Sequence, residues 1–166
     1  MDFELKPLTP QAEGRALELA RHYRLLNEPA QAESICRDIL RVDEDHQEAL
    51  TVLLLALTDQ FTRRLGDSFH RARRVLAQLE DEYERAYYSG IVYERMGRAK
   101  LRQGVPGCSS AAYEALRQAM EFYERAEELR EPGNDDPILR WNACARTIMD
   151  RSLRPSPEDT FIPMLE

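Results

Sequence analysis

An all-α fold is predicted by three features of the chain. No proline falls between Ala30 and Val105 and glycine is sparse there, so that stretch can sustain helix almost throughout. Apolar residues recur three and four positions apart along most of the length. The period-two alternation that marks half-buried strands is absent.

The elements follow in order. Thr9-Pro10 opens a first helix, Thr9 as N-cap and Pro10 in the first turn, with Ala16, Leu19, Ala20, Tyr23 and Leu26 at apolar spacing. Asn27-Glu28-Pro29 breaks the chain and starts a second, whose inward face is Ala32, Ile35, Cys36, Ile39 and Leu40. Asp45-x-x-Glu48 reads as a capping box before a third helix carrying Leu50, Leu53, Leu54 and Leu57. Gly66-Asp67-Ser68 is expected to separate it from a fourth, with Ala72, Val75, Leu76 and Leu79. A long fifth helix is expected from Asp81 to Gln103, closed by the loop Gly104-Val105-Pro106-Gly107. Ser109 or Ser110 then caps a sixth helix to Arg130, and Asp136-Pro137 opens a seventh to Arg151 after the break at Glu131-Pro132-Gly133-Asn134. The chain therefore divides into a helical domain over 1–151 and an irregular tail over 152–166, which holds three prolines.

Charge narrows the function. The 166 residues include 30 acids against 23 bases, 21 of them Arg with only Lys6 and Lys100 beside them, for a net charge of -7. An acidic domain is a poor nucleic-acid binder, because phosphate neutralisation favours a basic face. The most apolar stretch, Leu50 to Leu57, is far short of the roughly 20 residues that span a bilayer. Met1 to Pro10 has two acids, one Lys and no apolar run, unlike a secretory signal. Cys36, Cys108 and Cys144 are odd in number, widely spaced and without a CxxC, a pattern of reduced thiols. A cytoplasmic protein with no membrane and no nucleic-acid partner is expected.

Self-similarity is the strongest motif. Ala20, Leu54, Gly90 and Ala145 stand at matching places on the odd helices, and Tyr23, Leu57, Tyr93 and Ile148 follow three residues later. On the even helices Ala32, Ala72 and Ala119 are followed by Cys36, Leu76 and Tyr123, then by Ile39, Leu79 and Ala126. A period of 34 with two insertions accounts for these offsets. The pattern resembles the tetratricopeptide repeat (TPR) family, whose 34-residue helix-turn-helix unit carries W-x2-L-G-x2-Y…A-x3-F…P. Glu13 to His46 matches best, through Leu19-Ala20-x-x-Tyr23 and Ala32-x3-Cys36-x2-Ile39, although Glu44 stands where the family often has proline. Trp141-x-x-Cys144-Ala145-x-x-Ile148 looks like a closing helix. The resemblance covers Glu13 to Arg151 and implies a right-handed α-solenoid of about three repeats plus a C-terminal capping helix. Neighbouring hairpins would then stack to complete a core that none buries alone.

No constellation carries catalysis. His22, His46 and His70 fall on different helices with no ligand partner at i+4, so solvated or capping roles are expected and no metal. Cys36 and Cys144 lie on apolar faces, and Cys108 sits beside the Gly-rich loop with no base placed near it by sequence. That loop lacks the Gly-Lys-Ser/Thr of a phosphate cradle. The acids between Glu80 and Glu94 and between Glu121 and Asp136 lie among arginines at i, i+4 spacing, as on solvated faces. No cofactor and no enzymatic activity are expected; an enzyme or small-ligand domain would have to use Cys108 or the inserted loop.

What remains is a binding surface. The resemblance implies a concave groove lined by the first helix of each repeat, and that face carries Arg21, Arg24, Thr51, Leu55, Tyr87, Ile91, Asn142 and Arg146, flanked by Leu17, Thr58, Glu94 and Met149. Arginines there would pair carboxylates, Asn142 would bond a peptide backbone, and Tyr87 would stack. Family members that hold a peptide's terminal carboxylate use a Lys/Asn clamp; Arg21 departs from it at the first asparagine. The expected role is a non-enzymatic scaffold for a protein or peptide, with an acidic or C-terminal peptide as the partner class. The alternative is a self-assembling structural protein, a homo-oligomer formed through repeat ends or the apolar tail Asp159 to Leu165, which could instead cap the last helix.

Overall fold

The computed structural model describes residues 3–156, all helix, turn or loop with no strand among them. The tail segment 159–165 lies outside the described residues. After a 3-10 turn at Pro10–Ala12, the helices are α1 (Glu13–Leu25), α2 (Pro29–Leu40), α3 (Gln47–Asp59), α4 (Phe61–Leu76), α5 (Glu82–Gln103), α6 (Cys108–Leu129) and α7 (Asp136–Asp150). They form two compact units, divided between Glu80 and Asp81.

In the first unit α1 packs on α2, α2 on α3 and α3 on α4, with α1 also reaching α3. Helix α3 is apolar around most of its circumference, which suits a helix enclosed by others: Leu50, Leu54, Ala56 and Leu57 are fully buried. Ala20, Ala32, Cys36, Ile39 and Ala72 close on it with no exposed surface. The inward residues of α1 are Leu17 and Ala20; Leu19, two residues and about 200° of helical rotation from Leu17, is 46% exposed. Asn27 ends α1 with φ 59, a left-handed conformation that asparagine tolerates.

Two local expectations are corrected. The Asp45/Glu48 capping box does not form. His46 caps α3 instead, its Nδ1 accepting from the Ala49 N–H at 3.3 Å, while Asp45 turns back on Asp43. The break expected at Gly66-Asp67-Ser68 lies earlier. Those residues are helical, and the non-helical position inside α4 is Arg64. Phe61 is the cause: it is 2% exposed and meets Phe69 edge-on at 6.2 Å, so the chain must turn as soon as α3 ends at Asp59.

In the second unit α5 runs along α6, and α6 packs on α7. Asp81 caps α5, accepting from the Glu84 N–H at 2.7 Å, and Gly104 ends it in the left-handed conformation. Helix α6 starts at Cys108 behind Gly107, so neither Ser109 nor Ser110 is its cap; Ser110 lies inside the first turn and donates to the Gly107 carbonyl. The core is Val92, Ala112, Leu116, Ala119, Tyr123, Ala126 and Cys144. At the repeat position of α7 Cys144 is buried and Ala145 only half-buried, one residue off the expected offset. Trp141 ties α7 to α6, its Nε1 donating to Glu124 at 2.9 Å.

Candidate functional site

Within the first unit the α1/α3 face is laced by ion pairs. Arg21 pairs with Glu48 in the open, and Arg24 Nε donates to Asp59 at 2.8 Å in a half-buried setting. Thr51 and Leu55 lie beside them on α3, half-buried, whereas Leu17 and Thr58 are buried and take no part in a surface. The arginines expected to meet a partner's carboxylates already have internal ones. The exposed Arg21–Glu48 pair contributes at most about 1 kcal/mol, so it can be exchanged for another carboxylate at little cost.

The other side of this unit holds a second charged group. Glu33 on α2 accepts from Gln60 at 2.8 Å, pairs with Arg37 at 2.6 Å and is joined by Arg71 of α4. Burial alone would raise its carboxyl, but the hydrogen bonds from Gln60 and Arg71 and the charges of Arg71 and Arg37 outweigh that and hold it below the ordinary value of 4.5. A depressed folded-state pKa stabilises fully above the unfolded value and less as pH falls through the folded one. Glu33→Gln should therefore flatten the loss of stability below pH 4.5, read from urea melts on either side of that value.

In the second unit Tyr87 is half-buried and stacks on Tyr83 with ring centroids 5.8 Å apart; Asn134 donates to the Tyr83 hydroxyl at 2.8 Å. Asn142 is half-buried on α7, and Arg146 and Met149 are exposed there. Ile91 is 3% exposed and belongs to the core, so it offers nothing to a partner.

Beneath this face lies the feature that the sequence did not disclose. Glu94 is 2% exposed. Its Oε2 accepts from the Tyr123 hydroxyl at 2.7 Å, and its Oε1 meets Arg98 Nη2 at 2.9 Å and Arg140 Nη1 at 3.5 Å. One carboxylate thus links α5, α6 and α7. Arg140 is also hydrogen-bonded to Tyr87, which couples the buried charge to the aromatic face. Burial, reinforced by Glu94, pushes the Tyr123 hydroxyl well above the ordinary tyrosine range, so it stays a donor. Gly90, Glu94 and Gly97 share one stripe of α5, but that spacing does not by itself set a buried glutamate apart from an exposed one.

Burial pushes Cys36 and Cys144 up to about 12, leaving no thiolate near neutral pH. Native maleimide labelling should add one adduct, on the half-buried Cys108, by intact mass; adducts at Cys36 or Cys144 would contradict that burial. His22 and His70 are exposed and His46 is spent as a cap. Among the described residues no group of three or more His, Cys, Asp or Glu is placed to hold a metal ion, and no helix is long and apolar enough to cross a membrane.

No family model, curated protein or solved structure matches the chain.

Proposed function

We propose that the chain is a non-enzymatic interaction module of TPR type, a solenoid of about three helical hairpins closed by α7, which holds a peptide or partner protein in the cytoplasm. The observation that carries this reading is the shared burial at repeat offsets. Ala20 with Ala32, Leu54 with Ala72, and Gly90 with Ala119 are all buried, one close-packing pair for each hairpin. That is what a stack of like units requires. Each unit offers a candidate surface of its own, the α1/α3 face with Arg21 in the first and the α5/α7 face with Tyr87, Asn142 and Arg146 in the second. Exposed arginines in a chain of net charge -7 favour an acidic peptide or a C-terminal carboxylate.

A peptide array probed with the wild type and with R21E/Y87S/R146E tests it, with circular dichroism to verify folding. Loss of the bound spots in the variant is expected; unchanged binding removes these faces as the site. A homo-oligomer is the second reading, favoured by Leu139 and Met149, which are 63% and 67% exposed on α7. Light scattering that gives a monomer at every concentration eliminates it.

A further inference from the structure

We propose that an open pocket at the C-terminal ends of α5 and α7 binds a phosphate-type dianion. The pocket has a volume of about 270 Å³ and is lined by Arg98, Leu101, Arg102, Thr147, Asp150 and Arg151. Its charge is unlike that of the chain. Among the described residues of the lining, Arg98 and Arg102 of α5 and Arg151 just past α7 face one carboxylate, that of Asp150. Arg98 is partly engaged with Glu94, but Glu94 is met by Arg140 as well, so the lining keeps close to two positive charges. A chain of net charge -7 that gathers such a surplus in one concavity is complementary to a doubly charged oxyanion.

Fork geometry favours an oxyanion over a halide, and the surplus of close to two positive charges favours a dianion over a single carboxylate. Guanidinium groups present planar forks of N–H donors that match the oxygen edges of phosphate. Arg98 is oriented by its two contacts to Glu94 Oε1, Nε at 3.0 Å and Nη2 at 2.9 Å, neither of which uses Nη1. Arg102 lies one turn further along α5, and Arg151 follows the last turn of α7. The Thr147 hydroxyl donates to the Ala143 carbonyl at 2.8 Å, so its proton is committed and recognition falls to the arginines. At the end of α7 the Thr147 carbonyl accepts from the Arg151 N–H at 3.2 Å, which reduces the negative pole an anion would meet. The volume exceeds one oxyanion, leaving room for the first atoms of a chain that carries it. Free phosphate and a phosphorylated side chain share this chemistry.

The pocket does not depend on the peptide reading above, and each can fail alone. The test is a titration of the full chain with inorganic phosphate, followed through the arginine side-chain N–H signals by NMR. Saturable shifts at Arg98, Arg102 and Arg151 are expected, with affinity about tenfold or more weaker in R102Q/R151Q and unchanged in R125Q, whose exposed arginine lies outside the pocket. Shifts spread evenly over exposed arginines, or equal affinity in both variants, overturn it. Parallel titrations with Gly-phosphoserine-Gly and Gly-Ser-Gly identify the source. Tighter binding of the phosphopeptide than of phosphate assigns a modified protein partner, and equal binding assigns the free anion. Gly-Ser-Gly binding as well as the phosphopeptide would overturn the dianion assignment.

Discussion

Gly90→Ala should destabilise the second unit by about 1–3 kcal/mol, the cost of overpacking a close-packed core. A Cβ at Gly90 would lie 2.6 Å from Cδ1 and 2.8 Å from Cζ of Tyr123. The ring has nowhere to go, because it is fully buried and its hydroxyl is held by Glu94. Each kcal/mol corresponds to about 2–4 °C in melting temperature for a chain of this length. Gly66→Ala is the matched control: it is also helical, but nothing stands within 4 Å of its added Cβ. That substitution should be neutral or stabilising, since alanine favours helix over glycine by roughly 0.5–1 kcal/mol. Similar melting shifts for the two variants would contradict the α5/α6 packing described here.

Glu94→Ala should cost about 3 kcal/mol, at the lower end of the range for breaking a buried ion pair. The lower end applies because Arg98 and Arg140 are 43% and 36% exposed and can recover water once the carboxylate is gone. The Tyr123 hydroxyl cannot, and it is left buried without its acceptor. Tyr123→Phe removes only that one hydrogen bond and should cost about 1–2 kcal/mol. Urea melts of the two single variants and the double variant measure their coupling. Additive effects would mean that the hydroxyl and the carboxylate do not act as one unit.

How far the sequence discloses this molecule depends on the kind of signal. Helix positions are legible because proline, glycine and apolar spacing act locally: α5 and α7 begin and end within a residue of expectation, whereas α6 starts two to three residues before the serine caps would place it. The turn between α3 and α4 was not, because Gly66 is a helix breaker only by propensity, whereas Phe61 is drawn inward by its whole ring area. A histidine cap competed with an acidic capping box that looked better on paper, and the choice rests on backbone geometry at one residue. On the candidate face, Arg21, Tyr87 and Arg146 could be placed by helical spacing, but Ile91 and Glu94 could not be told from surface positions. Glutamate is rarely buried, and the reason for this exception lies in a tyrosine 29 residues away and an arginine on a third helix. Pairing across helices is invisible to a local pattern. For the same reason the internal partners of Arg21 and Arg24 were not foreseen.

The interaction-module reading is tested most directly by hydrogen exchange on the full chain, with and without the strongest peptide from the array. Slowed exchange is expected along α1 and α3 in the first unit and along α5 and α7 in the second, strongest in the turns that carry Arg21, Tyr87 and Arg146. Protection confined to α2, α4 and α6, with those turns exchanging as in the free protein, would contradict it.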